Sequence, residues 1–210
     1  MLVYYRLDTN SSRFTVQAFA GGMLSMFAHN PTFAVRDFHG GMRFDPKTPK
    51  GAAFNLTVTS DSLELIDNVK PKDRQEIQST MRHEVLETAR YPEITFQSTE
   101  VSGSKVADHW YRILFRGELS LHGLPGAHEV EAELREGGEE IRLTGATALA
   151  LSAYRLKRVT ALGGLIILKD QVKIAFDLVG RKDNQEGENE AESSAASSSP
   201  AAQTEGGNRA

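Results

Sequence analysis

At 210 residues, 40% apolar and 25% charged, the chain is long enough for one good hydrophobic core and short for two. The absence of cysteine excludes disulfides, thiolate metal sites and a cysteine nucleophile together. The net charge of −4 is unevenly spread: residues 183–210 hold six acids (Asp183, Glu186, Glu188, Glu190, Glu192, Glu205) against Arg209 alone, a net of −5, leaving 23 bases and 22 acids, or +1, in residues 1–182, which gives no electrostatic reason to expect a nucleic-acid partner.

In chain order, the opening Met1 to Arg6 has no charged head, no long apolar stretch and no small-residue cleavage site, so it does not read as a signal peptide. The expected location is therefore the cytoplasm, or the periplasm if the native start lies further upstream. Phe14, Val16 and Ala18 alternate with polar neighbours, as do Phe54, Leu56 and Val58, and both runs predict half-buried strands. Between Pro71 and Ala89 the rhythm changes: Ile77, Met81 and Val85 share one face of an amphipathic helix whose other sides are charged. Tyr91-Pro92 ends it, because proline lacks a donor and drives the residue before it out of helical geometry. Ile94 and Phe96 then share one side of a strand, with Thr95, Gln97 and Thr99 on the other.

A longer strand is predicted over Tyr111, Ile113, Phe115 and Leu119, with Gly117 marking a bend. Residues 129–135 carry a charge at every second position, so their outer face lies in water, and the Glu136-Gly137-Gly138-Glu139 turn joins them to Ile141 and Leu143 as a hairpin. Gly163-Gly164 lacks the lysine and context of a nucleotide loop and reads as a bend. Val172, Ile174, Phe176 and Leu178 alternate in a closing strand. Nothing spans a bilayer, since the longest apolar stretches, such as Ala161 to Leu168, fall far short of the roughly 20 residues a membrane helix needs. Residues 183–210, rich in Ser, Ala, Glu and Gly without aromatic or branched aliphatic residues, predict a disordered tail behind a domain at 1–182. Long strands, polar outer faces and a single helix favour an antiparallel β-barrel closed on itself over a sandwich of short strands.

Candidate chemistry is sparse. The histidines at 29, 39, 83, 109, 122 and 128 show neither a His-x-His pair nor a helical pair four apart, so no metal or other cofactor is expected. His29 and His122 read as turn residues. There is no Gly-x-Ser-x-Gly elbow, and Asp73 and Glu84 on the helix read as solvated charges. What stands out is the inward set: Phe14, Phe54, Phe96, Tyr111, Phe115 and Phe176 come from strands across the chain, each on the apolar side. These rings either fill the barrel as a core or line a bore wide enough for one ligand, and alternation alone does not separate the two.

The order of pieces is familiar. Tyr5-Arg6-Leu7-Asp8, Ser12 to Val16 and Asp37 to Asp45 resemble the start of the YceI-like family of lipocalin-like, polyisoprenoid-binding proteins. The helix followed by Tyr91-Pro92-Glu93-Ile94-Thr95-Phe96-Gln97-Ser98-Thr99 is the most specific match, joined by Gly117-Glu118-Leu119-Ser120-Leu121-His122-Gly123 and the closing strand at 170–178. Leu124-Pro125-Gly126-Ala127-His128 stands where the family usually has a Val-Thr-Lys-Pro run. The resemblance, over residues 4–182, implies an all-β fold with one helix: an extended antiparallel lipocalin-like barrel of about eight strands with the helix near one end. It implies a non-enzymatic carrier of a long-chain isoprenoid or similar lipid, held in an apolar bore lined by Phe14, Val16, Phe54, Leu56, Phe96, Tyr111, Ile113, Phe115, Phe176 and Leu178. Two alternatives stand beside it: an enzyme using His29, His39 or His122 at the barrel mouth, and a filled barrel acting through its surface. Monomer and homodimer are both left open.

Overall fold

A computed structural model describes residues 2–21, 30–47, 51–161 and 166–183. The expected bend at Gly163-Gly164, the turn at His29 and the tail beyond Asp183 lie outside the described residues. The strands are β1 (Val3–Leu7), β2 (Arg13–Gln17), β3 (Ala20–Gly21), β4 (Thr32–Val35), β5 (Phe38–Phe44), β6 (Ala53–Thr59), β7 (Leu63–Leu65), β8 (Glu93–Ala107), β9 (Trp110–Leu121), β10 (Leu124–Glu136), β11 (Glu140–Ala150), β12 (Thr160–Ala161), β13 (Ile166–Leu168) and β14 (Gln171–Lys182). The main sheet runs β1-β5-β6-β8-β9-β10-β11-β14 and closes by pairing β14 with β1. It is an eight-stranded antiparallel barrel with one helix, as the alternation and the resemblance predict.

Three of its staves are interrupted. The outer edge of β14 is shared, with Gly180–Lys182 paired to β1 and Lys173–Asp177 paired to β2. Between these, Asp8–Ser12 turns out of the ladder: Asp8 Oδ1 accepts the Asn10 amide at 3.0 Å, and Ser12 Oγ takes the Val179 amide at 2.9 Å in place of a backbone carbonyl. Next to it, β4 pairs with β2 and β7 while β5 pairs with β1 and β6, the gap falling at Arg36-Asp37. The third stave breaks at the 3₁₀ turn Ser60–Ser62, between β6 and β7. The breaks are cross-tied: Thr59 Oγ1 donates to Asp37 Oδ2 at 2.6 Å, the Arg36 amide to Ser62 O at 3.2 Å and Thr9 Oγ1 to Phe38 O at 2.8 Å. A polar seam thus replaces ladder bonds at one level of the wall, keeping buried backbone groups paired.

The helix differs from expectation in its ending. Helix α1 covers Pro71–Thr80, with proline at its first turn where the missing donor costs nothing. It then widens into a π-turn over Met81–Val85, closed by the Leu86 amide on Met81 O at 2.9 Å. Glu87, at φ 46°, stops it there, and a second turn follows in which the Tyr91 amide donates to Glu87 O at 3.0 Å. The stop therefore precedes Tyr91-Pro92 rather than coinciding with it. The wider turn helps bring both Met81 and Leu86 into the core.

Candidate functional site: the barrel lumen

Strict alternation sets which side chains enter the barrel. All ten residues expected to line a bore lie on the inward face: Phe14 and Val16 on β2, Phe54 and Leu56 on β6, Phe96 on β8, Tyr111, Ile113 and Phe115 on β9, and Phe176 and Leu178 on β14. All belong to, or pack against, one continuous hydrophobic cluster.

The lumen has two halves. Its base, at the β5–β6, β8–β9 and β10–β11 turns, is solid: Met42, Phe44, Ile113 and Leu134 are wholly buried, and Phe44 meets the Tyr111 ring edge-on at 5.1 Å. Hydroxyls close this floor, Tyr111 Oη donating to Pro46 O at 2.8 Å and Tyr5 Oη to Gly138 O at 3.2 Å. Burial first, then Glu136 and Glu139, pushes the Tyr5 phenol upward, keeping it a donor. Glu136, the one acid on the inward face of β10, spends its oxygens on the Gly138 amide at 2.6 Å and on His109 Nδ1 at 2.7 Å. Above the floor, Phe54 packs against Phe115 at 5.1 Å and Phe96 at 6.2 Å.

Toward the helix the packing loosens. Phe14, Val16, Leu56, Ile94, Val130, Ile174 and Phe176 point inward yet are only half-buried. Here the inward side chains keep accessible surface whereas those of the base have almost none, so the upper half is the more open part of the lumen. Met81, Leu86, Tyr154 and Leu156 are buried over this end. Lys157 holds Glu84 at 2.6 Å and Arg82 faces Asp61 at 3.1 Å, fastening the π-turn to its surroundings.

The histidines expected at the mouth do not converge. His39 is exposed on the outward side of β5, and His29 lies outside the described residues. His122, at φ 54° in the β9–β10 turn, bonds Glu87 Oε2 at 2.5 Å and rests on the Tyr91 ring at 4.2 Å, joining barrel to helix. Among the described residues no three His, Asp or Glu side chains gather as a metal site. The residue missed from sequence is His128. On β10 it shares the inward phase of Val130, Ala132 and Leu134, and its Nε2 lies 3.3 Å from Thr147 Oγ1. Burial lowers its basicity, so the imidazole is neutral at neutral pH.

A family model described as the YceI-like domain matches residues 5–180. The chain belongs to the YceI-like family. Protein YceI of Escherichia coli O6:H1 is 30% identical over 105 residues, 50% of this chain and 49% of that protein, so the chain spans about half the length of this curated relative. Two solved structures share the fold at 17% identity. BcnA of Burkholderia cenocepacia aligns with a TM-score of 0.62 over 82% of this chain and 98% of its own. A polyisoprenoid binding domain from Saccharophagus degradans, implicated in plant cell wall breakdown, aligns at 0.60 over 87% and 100%. Among the described residues of this YceI-like barrel, no helix is long and apolar enough to cross a membrane.

Proposed function

We propose that this protein binds, stores or transports a long-chain isoprenoid or similar amphiphilic lipid inside the barrel, without catalysis. The observation that carries this reading is the inward apolar set on β2, β6, β8, β10 and β14, which stays only half-buried above a fully buried base. The polyisoprenoid-binding neighbour supports the ligand class. The ligand chain runs past Phe14, Val16, Leu56, Phe96 and Phe176 and ends against Phe54 and Phe115. Tyr111, Ile113 and Leu178 back it from the packed base.

Each methylene moved from water into such a lumen gains about 0.8 kcal/mol, roughly 12 kcal/mol for about 15 carbons. Binding costs of several to about 15 kcal/mol offset most of that. Length and shape, rather than polar contacts, therefore set most of the selectivity. The test is organic extraction and mass spectrometry of purified protein, alongside Ile174→Trp, which fills the lumen next to Val16. Wild-type protein is expected to carry or take up a C20 isoprenoid, and the variant to lose most of it while its Tm moves by only a few degrees. Protein that carries no lipid and takes up none overturns the reading.

A further inference from the structure

Besides Ser98, whose hydroxyl is taken by the Phe54 amide at 2.8 Å, three polar side chains face the upper half of the lumen. Across β2, β14 and β11 the wall reads Val16, Ile174, Thr147, and His128 follows on β10 with its ring against Thr147. Glycines surround this pair: Gly126 is one inward position from His128 along β10, Gly117 is its partner on β9, and Gly145 is one inward position from Thr147. An aromatic ring lies over each. A Cβ at Gly126 would meet Tyr154 Oη at 2.8 Å, one at Gly117 the Phe96 ring at 2.9 Å, and one at Gly145 the Phe176 ring at 2.6 Å. Three rings therefore cover the glycines around the His128–Thr147 pair, and the Tyr154 hydroxyl stands at the next inward position toward the mouth.

These groups are under-used. Tyr154 is 3% exposed, and its hydroxyl has no hydrogen-bond partner among the described residues. Thr147 Oγ1 has only long contacts, 3.3 Å to His128 Nε2 and 3.5 Å to Glu129 O. His128 Nδ1 has no partner among the described residues either. Neither the Tyr154 hydroxyl nor His128 Nδ1 is sealed from solvent in the free protein, and a lipid that displaces water from them makes them costly unless its own polar group satisfies them. The inward positions of this half carry no lysine or arginine among the described residues, so a charged head group would enter unpaired.

We propose that His128, Thr147 and Tyr154 form a recognition site inside the lumen for the uncharged, hydrogen-bonding head group, a hydroxyl or carbonyl, of the lipid that occupies it. The neutral imidazole offers one donor and one acceptor, and the two hydroxyls turn to suit either kind of head group. The site rests on the lipid-binding reading above and adds a polar anchor for the ligand's head group, above the level at which its chain ends.

The test compares three C20 probes delivered from cyclodextrin and followed by calorimetry: phytol, phytane and phytyl monophosphate. Wild-type protein is expected to bind phytol at least about tenfold more tightly than phytane, and more tightly than the phosphate. His128→Leu, Thr147→Val and Tyr154→Phe should each erode the preference for phytol, the first two together reducing it to within about twofold, with phytane affinity unchanged. Near-isosteric Thr147→Val guards against a folding failure at His128. Equal binding of phytol and phytane, tightest binding of the phosphate, or an undiminished phytol preference in the variants overturns the head-group site and leaves lipid binding standing. Failure of all three probes to bind protein that also carries no lipid sinks both.

Discussion

Asp8 shows how one carboxylate holds an interrupted stave in place. It accepts from Arg181 Nε at 2.8 Å and Ser11 Oγ at 2.8 Å, and these, Arg181 first, hold its pKa down to about 2 from an ordinary 3.8. A folded-state value below the unfolded one stabilises the fold above about pH 4, and the contribution is lost as pH falls through about 2. Asp8→Asn is therefore expected to flatten the acid limb of Tm against pH between 4 and 2. An unchanged limb would mean the bonds are spent elsewhere. Gly145 makes a different demand: a Cβ there would strike both Glu131 O and the Phe176 ring at 2.6 Å. Gly145→Ala should cost about 1–3 kcal/mol in a denaturant melt. The phase of the ten inward residues was legible because period-2 alternation is local. His128 was not singled out, although it falls in phase with Val130 and Leu134. A polar residue at an inward position is informative only once the wall is known to close around space rather than around a core.

Elements were legible wherever one face is dry and the other wet: β9, β10, β11 and β14 follow their alternation, and Gly117 marks a real irregularity. A Cβ at Gly117 would lie 2.3 Å from Gln97 O, beside the point where β8 shifts register between Ser98 and Glu100. The breaks at Asp8–Ser12, Arg36-Asp37 and Ser60–Ser62 were not legible, because apolar alternation resumes on the far side of each and the bonds that replace the ladder come from other staves. The π-turn escaped for a similar reason. Its reward, seating both Met81 and Leu86, is tertiary. This element is latched by His122, whose side chain is 13% exposed and joins Glu87 and Tyr91. His122→Ala should lower stability by about 1–3 kcal/mol. Amide exchange should quicken over residues 81–91 while β10 and β11 stay protected, and uniform acceleration across the barrel would show that the latch is part of the core instead.

For the whole molecule, the proposed function rests on closure of the sheet and on the contrast between a fully buried base and a half-buried upper half. Alternation predicts a closed wall but not how full it is, since the same inward rings serve either outcome. Asp183 is tied to the first strand: its amide donates to Tyr4 O at 2.9 Å and its carboxylate takes Arg6 at 2.5–2.7 Å. On the composition of the residues that follow, a chain ending at Asp183 is expected to keep both Tm and lipid content. A fall of many degrees would assign those residues a structural part. Cutting one residue earlier removes the ion pair and should cost measurably more.

The shared edge of β14 sets an order of events. β1 and β2 wait for a partner more than 150 residues further along the chain, which at about 5–20 residues per second leaves roughly 8 to 30 seconds of synthesis in which the sheet is an open trough. In that interval the lumen wall has no mouth, and the lipid proposed above would lie along it without threading past Met81 and Leu86. Protein refolded with phytol present should therefore retain more of it after gel filtration than folded protein given the same phytol for the same time. Equal retention would mean that cargo enters a finished barrel.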